Sequence, residues 1–165
     1  MTRSTTPLAR RTILAAAAVL ALAGGASVAH AQAAASCTVL EIEASSAASP
    51  SIDPELRPFE KKLKKPPFSS WNTFKRLGSH ALTLQPMKAG ELTLVHGKAS
   101  LILRDVTAGN GKKQRVSLGI QLDDDEGKRV LDTKVGVDAG DWLVVGRSLK
   151  GEDSRGQIVA LSCKL

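Results

Sequence analysis

The chain has 165 residues, with 23 Lys and Arg against 16 Asp and Glu, two Cys, and five aromatics of which none is Tyr. That length supports one modest domain and not two, and a hydrophobic fraction of 42% with 24% charged residues argues against disorder. The three His, one of them near the N-terminus, exclude a His-rich metal centre.

Arg10-Arg11 precede an apolar stretch from Ile13 to Leu22, and small residues follow to Ala29-His30-Ala31. A basic start, a short apolar middle and an A-x-A end mark residues 1–31 as a cleaved signal peptide. The apolar stretch is too short to span a bilayer comfortably, so no transmembrane span is expected in the mature chain. The leader holds three Arg and no acid, which leaves 20 basic and 16 acidic residues, a charge of +4, beyond it. Arg10-Arg11-Thr12-Ile13-Leu14 resembles a twin-arginine export signal, the alternative to the general secretory route. Ala34-Ala35-Ser36-Cys37 resembles a bacterial lipobox without the usual Leu three positions before the Cys, so a lipoprotein anchored at Cys37 is a second alternative. The expected location is periplasmic or otherwise extracytoplasmic.

Cys37 opens the mature chain and Cys163 nearly closes it. An even Cys count in an exported chain favours a disulfide between the two, against free thiols or lipidation. Strict alternation over Thr38 to Ala44 sets Leu40, Ile42 and Ala44 against Val39, Glu41 and Glu43. Cys37 then shares the Glu face, and either precedes the strand or bridges on an outer face.

Ser45 to Pro50 reads as a linker. Leu56, Phe59 and Leu63 then fall on one helical face, with Asp53 as N-cap and Pro54 at the first helical position. This short helix near 54–64 is complicated by Pro58 and ends at Pro66-Pro67. Beyond Trp71 the pattern is β. Short strands are expected at Ala81 to Leu84, Glu91 to Val95 and Ser100 to Val106, with turns at His96-Gly97 and Asn110-Gly111. Val116, Leu118, Ile120 and Leu122 alternate without a break, the cleanest strand signal in the chain. A polar turn around Gly127 leads to Leu131, Thr133, Val135 and Val137, which face inward. Trp142 to Val145 and Ile158 to Cys163 are the last two strands, separated by a charged loop from Arg147 to Arg155. Residues 32–165 are thus expected to form a single all-β, mainly antiparallel domain, a β-sandwich or open barrel with one short N-terminal helix.

Residues 57–76 hold four of the five aromatics, Phe59, Phe68, Trp71 and Phe74, and seven basic residues opposed only by Glu60. A basic segment interleaved with aromatics suits an anionic surface such as lipid head groups, lipopolysaccharide or an acidic partner. The candidate residues are Lys61, Lys62, Lys64, Lys65, Trp71, Lys75 and Arg76. The competing reading has the aromatics plugging one end of the sandwich beneath a solvated lysine face. Nucleic acid is not an expected partner of an exported protein. Asp123-Asp124-Asp125-Glu126 lacks the spacing of a calcium loop and reads as a hairpin tip. His80 and His96 show no metal spacing, and no nucleophile elbow, phosphate loop or dinucleotide fingerprint is present. No catalytic residue, metal or cofactor is expected, with a small hydrolase as the enzymatic alternative.

Thr133-Lys134-Val135-Gly136-Val137-Asp138-Ala139-Gly140 followed by Trp142-Leu143-Val144-Val145-Gly146 resembles a strand–turn–strand of outer-membrane secretins, with Arg147 where a second Gly is usual. More broadly, Ile52-Asp53-Pro54-Glu55-Leu56, Pro66-Pro67-Phe68 and Trp71-x-x-Phe74, with the β-rich remainder, resemble small exported proteins of unassigned function in predatory and gliding Gram-negative bacteria. The latter resemblance covers nearly all of the mature chain and implies a localisation and an architecture but no activity. The role expected of the chain is a non-enzymatic binding or structural accessory protein of the cell envelope. The alternatives are a peripheral binder of anionic surfaces and a subunit of a secretin or pilus machine.

Overall fold

The structure is a computed structural model that describes residues 34–108 and 113–165. The signal peptide expected over residues 1–31 and the expected Asn110-Gly111 turn lie outside the described residues. The architecture is the expected all-β one, two mostly antiparallel sheets with a short helical segment. The first sheet has the order β2-β3-β1-β9-β8. Its strands are β1 (Ala35–Ser45), β2 (Ser51–Ile52), β3 (Thr73–Leu84), β8 (Trp142–Leu149) and β9 (Glu152–Lys164). The second is a simple meander of β4 (Ala89–Thr93), β5 (Lys98–Ala108), β6 (Gln114–Asp123) and β7 (Arg129–Asp138). The one parallel pair of strands joins the two-residue β2 to β3.

Alternation places the inter-sheet core where the sequence puts it. Val116, Leu118, Ile120 and Leu122 of β6 are all buried and pack with Leu101 and Leu103 of β5. Val39, Val159 and Leu161 meet them from the first sheet. Cys37 and Cys163 sit opposite each other on the adjacent strands β1 and β9 and form a disulfide across 126 positions. Cys37 therefore lies within the strand, facing the inter-sheet core and not an outer face, because β1 starts at Ala35.

The alternation fails on the central strands. In β1, residues 39–42 are all buried, and in β9 every residue from Gly156 to Cys163 is. These two strands occupy the middle of the sheet, and their second face is covered by a hood made of residues 54–70. The hood is a 3-10 helix (Pro54–Phe59), one turn of α-helix, α1 (Glu60–Leu63), and a second 3-10 turn (Phe68–Ser70). Pro58 inside the first turn lacks the amide that a regular α-helix would use, which accounts for its tighter winding. Leu56, Phe59, Leu63, Phe68 and Trp71 are buried under the hood against Leu40, Ile42, Ala44, Ile158 and Ala160. The expected Asp53 cap is absent: its carboxylate accepts the Arg76 backbone N–H instead, which pins the hood's entry to β3.

Three boundaries differ from those expected. β3 runs from Thr73, because pairing along β1 extends it well beyond Ala81. The charged loop over 147–155 is a two-residue turn, Lys150-Gly151, since both flanking strands continue into it. The stretch from Thr133 to Gly146 is not a hydrogen-bonded hairpin, because β7 and β8 belong to different sheets and the turn between them crosses the sandwich. Gly140 N–H donates to the Cys163 carbonyl there, fastening that crossing beside the disulfide.

Close approach makes Gly156 critical. A Cβ built on it would lie 2.4 Å from the Trp71 ring. Gly156→Ala is expected to destabilise the fold by about 1–3 kcal/mol in urea melts, as overpacking does. Removing the bridge with Cys37→Ala/Cys163→Ala is expected to cost up to about 5 kcal/mol, the chain-entropy value for so long a loop. A melt unchanged by dithiothreitol would contradict the latter.

Candidate functional site

The hood decides what the basic–aromatic segment presents. All four of its aromatics face inward: Phe59, Phe68, Trp71 and Phe74 are each 8% exposed or less. Phe59 meets Trp142, the fifth aromatic, edge to face at 4.6 Å. Trp71 is thus removed from the surface-binding set, since its ring is spent against Gly156 on β9. The aromatics do not plug an end of the sandwich. They line the outer face of the first sheet, packed on Leu40, Ile42, Ala44, Ile158 and Ala160.

The cations remain outside. Lys61, Lys62, Lys64 and Lys65 are exposed on the hood, and Lys75 and Arg76 are exposed on β3. Lys64 pairs with Glu60, and this hydrogen bond holds the Glu60 carboxyl below its ordinary range. Lys62 donates to the Trp142 carbonyl, and Arg76 pairs with Glu55. Lys61 and Lys65 have no ion-pair partner among the described residues. The hood is therefore basic outside and apolar beneath, while Lys75 and Arg76 belong to a neighbouring strand. Two clefts border it. One, of about 510 Å³, is lined by residues of both charges, including Arg57, Glu60 and Lys64. The other, of about 590 Å³, is mostly apolar and runs beside β8 beneath Lys62 and Lys65.

The opposite face of the first sheet holds a polar network that alternation assigned to the outer face. Glu41 is only 1% exposed and points into the sandwich. Its carboxylate accepts the backbone N–H groups of Val95 at 2.9 Å and His96 at 3.3 Å, and the Gln157 side-chain amide at 2.9 Å. Arg147 donates to Gln157 Oε1 and to the His96 carbonyl, which Gln157 also reaches. Every donor on Glu41 is already supplied by the protein, so the group ties the β4–β5 loop to the first sheet. Gly97 makes that loop possible: its φ is +91°, and a Cβ would overlap the Asp123 carbonyl. The loop spans Leu94 to Gly97, longer than the two-residue turn expected, and Leu94 N–H closes it on Gly97 O.

The acidic run behaves as a hairpin tip. Asp124 accepts the backbone N–H groups of Glu126 and Lys128, Asp123 pairs with Arg129, and Glu126 with Lys150. Asp125 lies 3.9 Å from His96 Nδ1, and His80 sits apart on β3. Among the described residues no group of three or more His, Cys, Asp or Glu converges as a metal site. Sequence reasoning missed two features, the Glu41 network and the cleft along β8. The unbroken apolar run Trp142-Leu143-Val144-Val145, with no polar residue on either face, is the signal that marks β8 as covered from both sides.

Glu41→Ala leaves three donors in a buried pocket and is expected to cost about 1–3 kcal/mol. Glu41→Gln is expected to lose less, and chemical denaturation distinguishes the two. A search of family models, curated proteins and solved structures returned no match to this chain.

Proposed function

We propose that this protein is an exported, non-enzymatic accessory component of the bacterial cell envelope that docks on an anionic surface through its hood. The observation that carries the reading is the division of residues 57–76, in which every aromatic is consumed beneath and the four hood lysines are left outside. Two of these, Lys61 and Lys65, have no ion-pair partner among the described residues. Such a surface attracts phosphate-bearing head groups over a Debye length without inserting apolar side chains. An extracytoplasmic location is compatible with the Cys37–Cys163 disulfide, which oxidising compartments preserve. Among the described residues no helix is long and apolar enough to cross a membrane.

Vesicle co-sedimentation of the oxidised protein tests the proposal. Binding to phosphatidylglycerol vesicles is expected, with none to phosphatidylcholine vesicles and a steady decline as salt is raised. Each lysine near such a surface contributes about 1 kcal/mol, so Lys→Gln at positions 61, 62, 64 and 65 together is expected to weaken binding by at least about tenfold. Retention that ignores salt, or that survives the quadruple substitution, would refute the reading.

A further inference from the structure

The two sheets are closed along one flank and open along the other. On the closed flank β4 presses on β3, where a Cβ on Gly90 would come within 2.8 Å of both Leu82 and Leu84. On the open flank β8 ends the first sheet and β7 ends the second, and neither edge is paired among the described residues. The 590 Å³ cleft lies between them, floored by Leu131 and Val135 of β7.

The side chains of β8 are already used on both faces. Leu143 and Val145 pack on the inter-sheet core, while Trp142 and Val144 pack on the cluster under the hood. What β8 still offers is its backbone edge. The Trp142 carbonyl receives Lys62 from the hood and so points away from β9. Amides and carbonyls alternate sides along a strand, so those of Val144 and Gly146 also point toward the opening. An acyl chain fills apolar space but pairs no backbone group, whereas a strand does both.

Charge selects the kind of strand. Lys62 and Lys65 both line the cleft, with Lys62 on the Trp142 carbonyl, and no acidic side chain lines it. We propose that the edge of β8 is a strand-acceptor site, taking an extended segment of a partner protein with alternating apolar residues and a carboxylate at the Lys62–Lys65 end. Such addition extends the first sheet and covers the cleft. It shares Lys62 and Lys65 with vesicle docking and is told apart from it by the Val144 and Gly146 amides.

The test pans a displayed library of linear ten-residue peptides against the oxidised protein, then synthesises the enriched sequences. Expected is enrichment of alternating apolar peptides with an acidic end, and slowed hydrogen exchange at the Val144 and Gly146 amides on binding. Val144→Pro removes one edge amide at a position where an edge strand tolerates proline. It is expected to weaken these peptides by about tenfold, the value of one lost hydrogen bond, while vesicle binding is unchanged. If Val144→Pro does not fold, amide exchange in the unsubstituted protein decides alone. The proposal is overturned if no alternating sequence enriches, if enriched peptides leave both amides exchanging freely, or if palmitate displaces them and itself occupies the cleft.

Discussion

The structure depends on a pair of central strands that are greasy on both faces. Leu40, Ile42 and Ala44 on β1, with Ile158 and Ala160 on β9, form an apolar strip on the side of the first sheet that faces away from the second. A sandwich sheet ordinarily leaves that side to water. Here it must be covered, and the chain covers it with the residues between β2 and β3. Large rings suit this task, because a short segment with two irregular helical turns has few positions with which to bury area. The consequence is a third layer over half of the sheet. The outer end of β1 beyond the hood keeps Ser36 and Thr38 exposed, in ordinary alternation.

That layer sets the chemistry of the surface. Once Phe59, Leu63, Phe68 and Trp71 are turned down, the intervening lysines are left exposed. Basic character and apolar cover are thus two faces of one segment. The hood also reaches across to β8, through Phe59 on Trp142, Lys62 on the Trp142 carbonyl, and Phe68 above Gly146. It therefore shelters one face of an edge strand whose other face is held by the inter-sheet core, and leaves the edge itself uncovered.

The two ends of the sandwich are secured by different means. At the end where the chain crosses between sheets, the disulfide and the Gly140–Cys163 hydrogen bond hold β1, β9 and the β7–β8 turn together. At the other end no covalent tie exists among the described residues, and the buried Glu41 carboxylate gathers the β4–β5 loop with Gln157 and Arg147. A fully donated buried carboxylate is directional in a way that apolar packing is not, so it sets the position of the loop and not merely its burial. A bulge in β3 at Leu77 lies at this same point, where the register against β1 shifts between Glu41 and Ile42.

Local pattern was enough to identify an all-β chain, the inward side of β6 and β7, and the buried stripe of Leu56, Phe59 and Leu63. Each of these rests on periodicity within a few residues, which the backbone geometry of strands and helices translates directly into faces. The pairing of Cys37 with Cys163 was legible because there were only two cysteines to join. The inward turn of Glu41, the burial of Trp71 and the open edge of β8 were not legible. Each depends on which strands lie in the middle of a sheet and what packs over them, and alternation carries no information about either. A strand with one apolar face and a strand with two differ in their neighbours, and those neighbours come from segments more than a hundred residues apart in the chain. The sequence by itself determined the repeat of each element; only the tertiary structure decided how many of its sides water can reach.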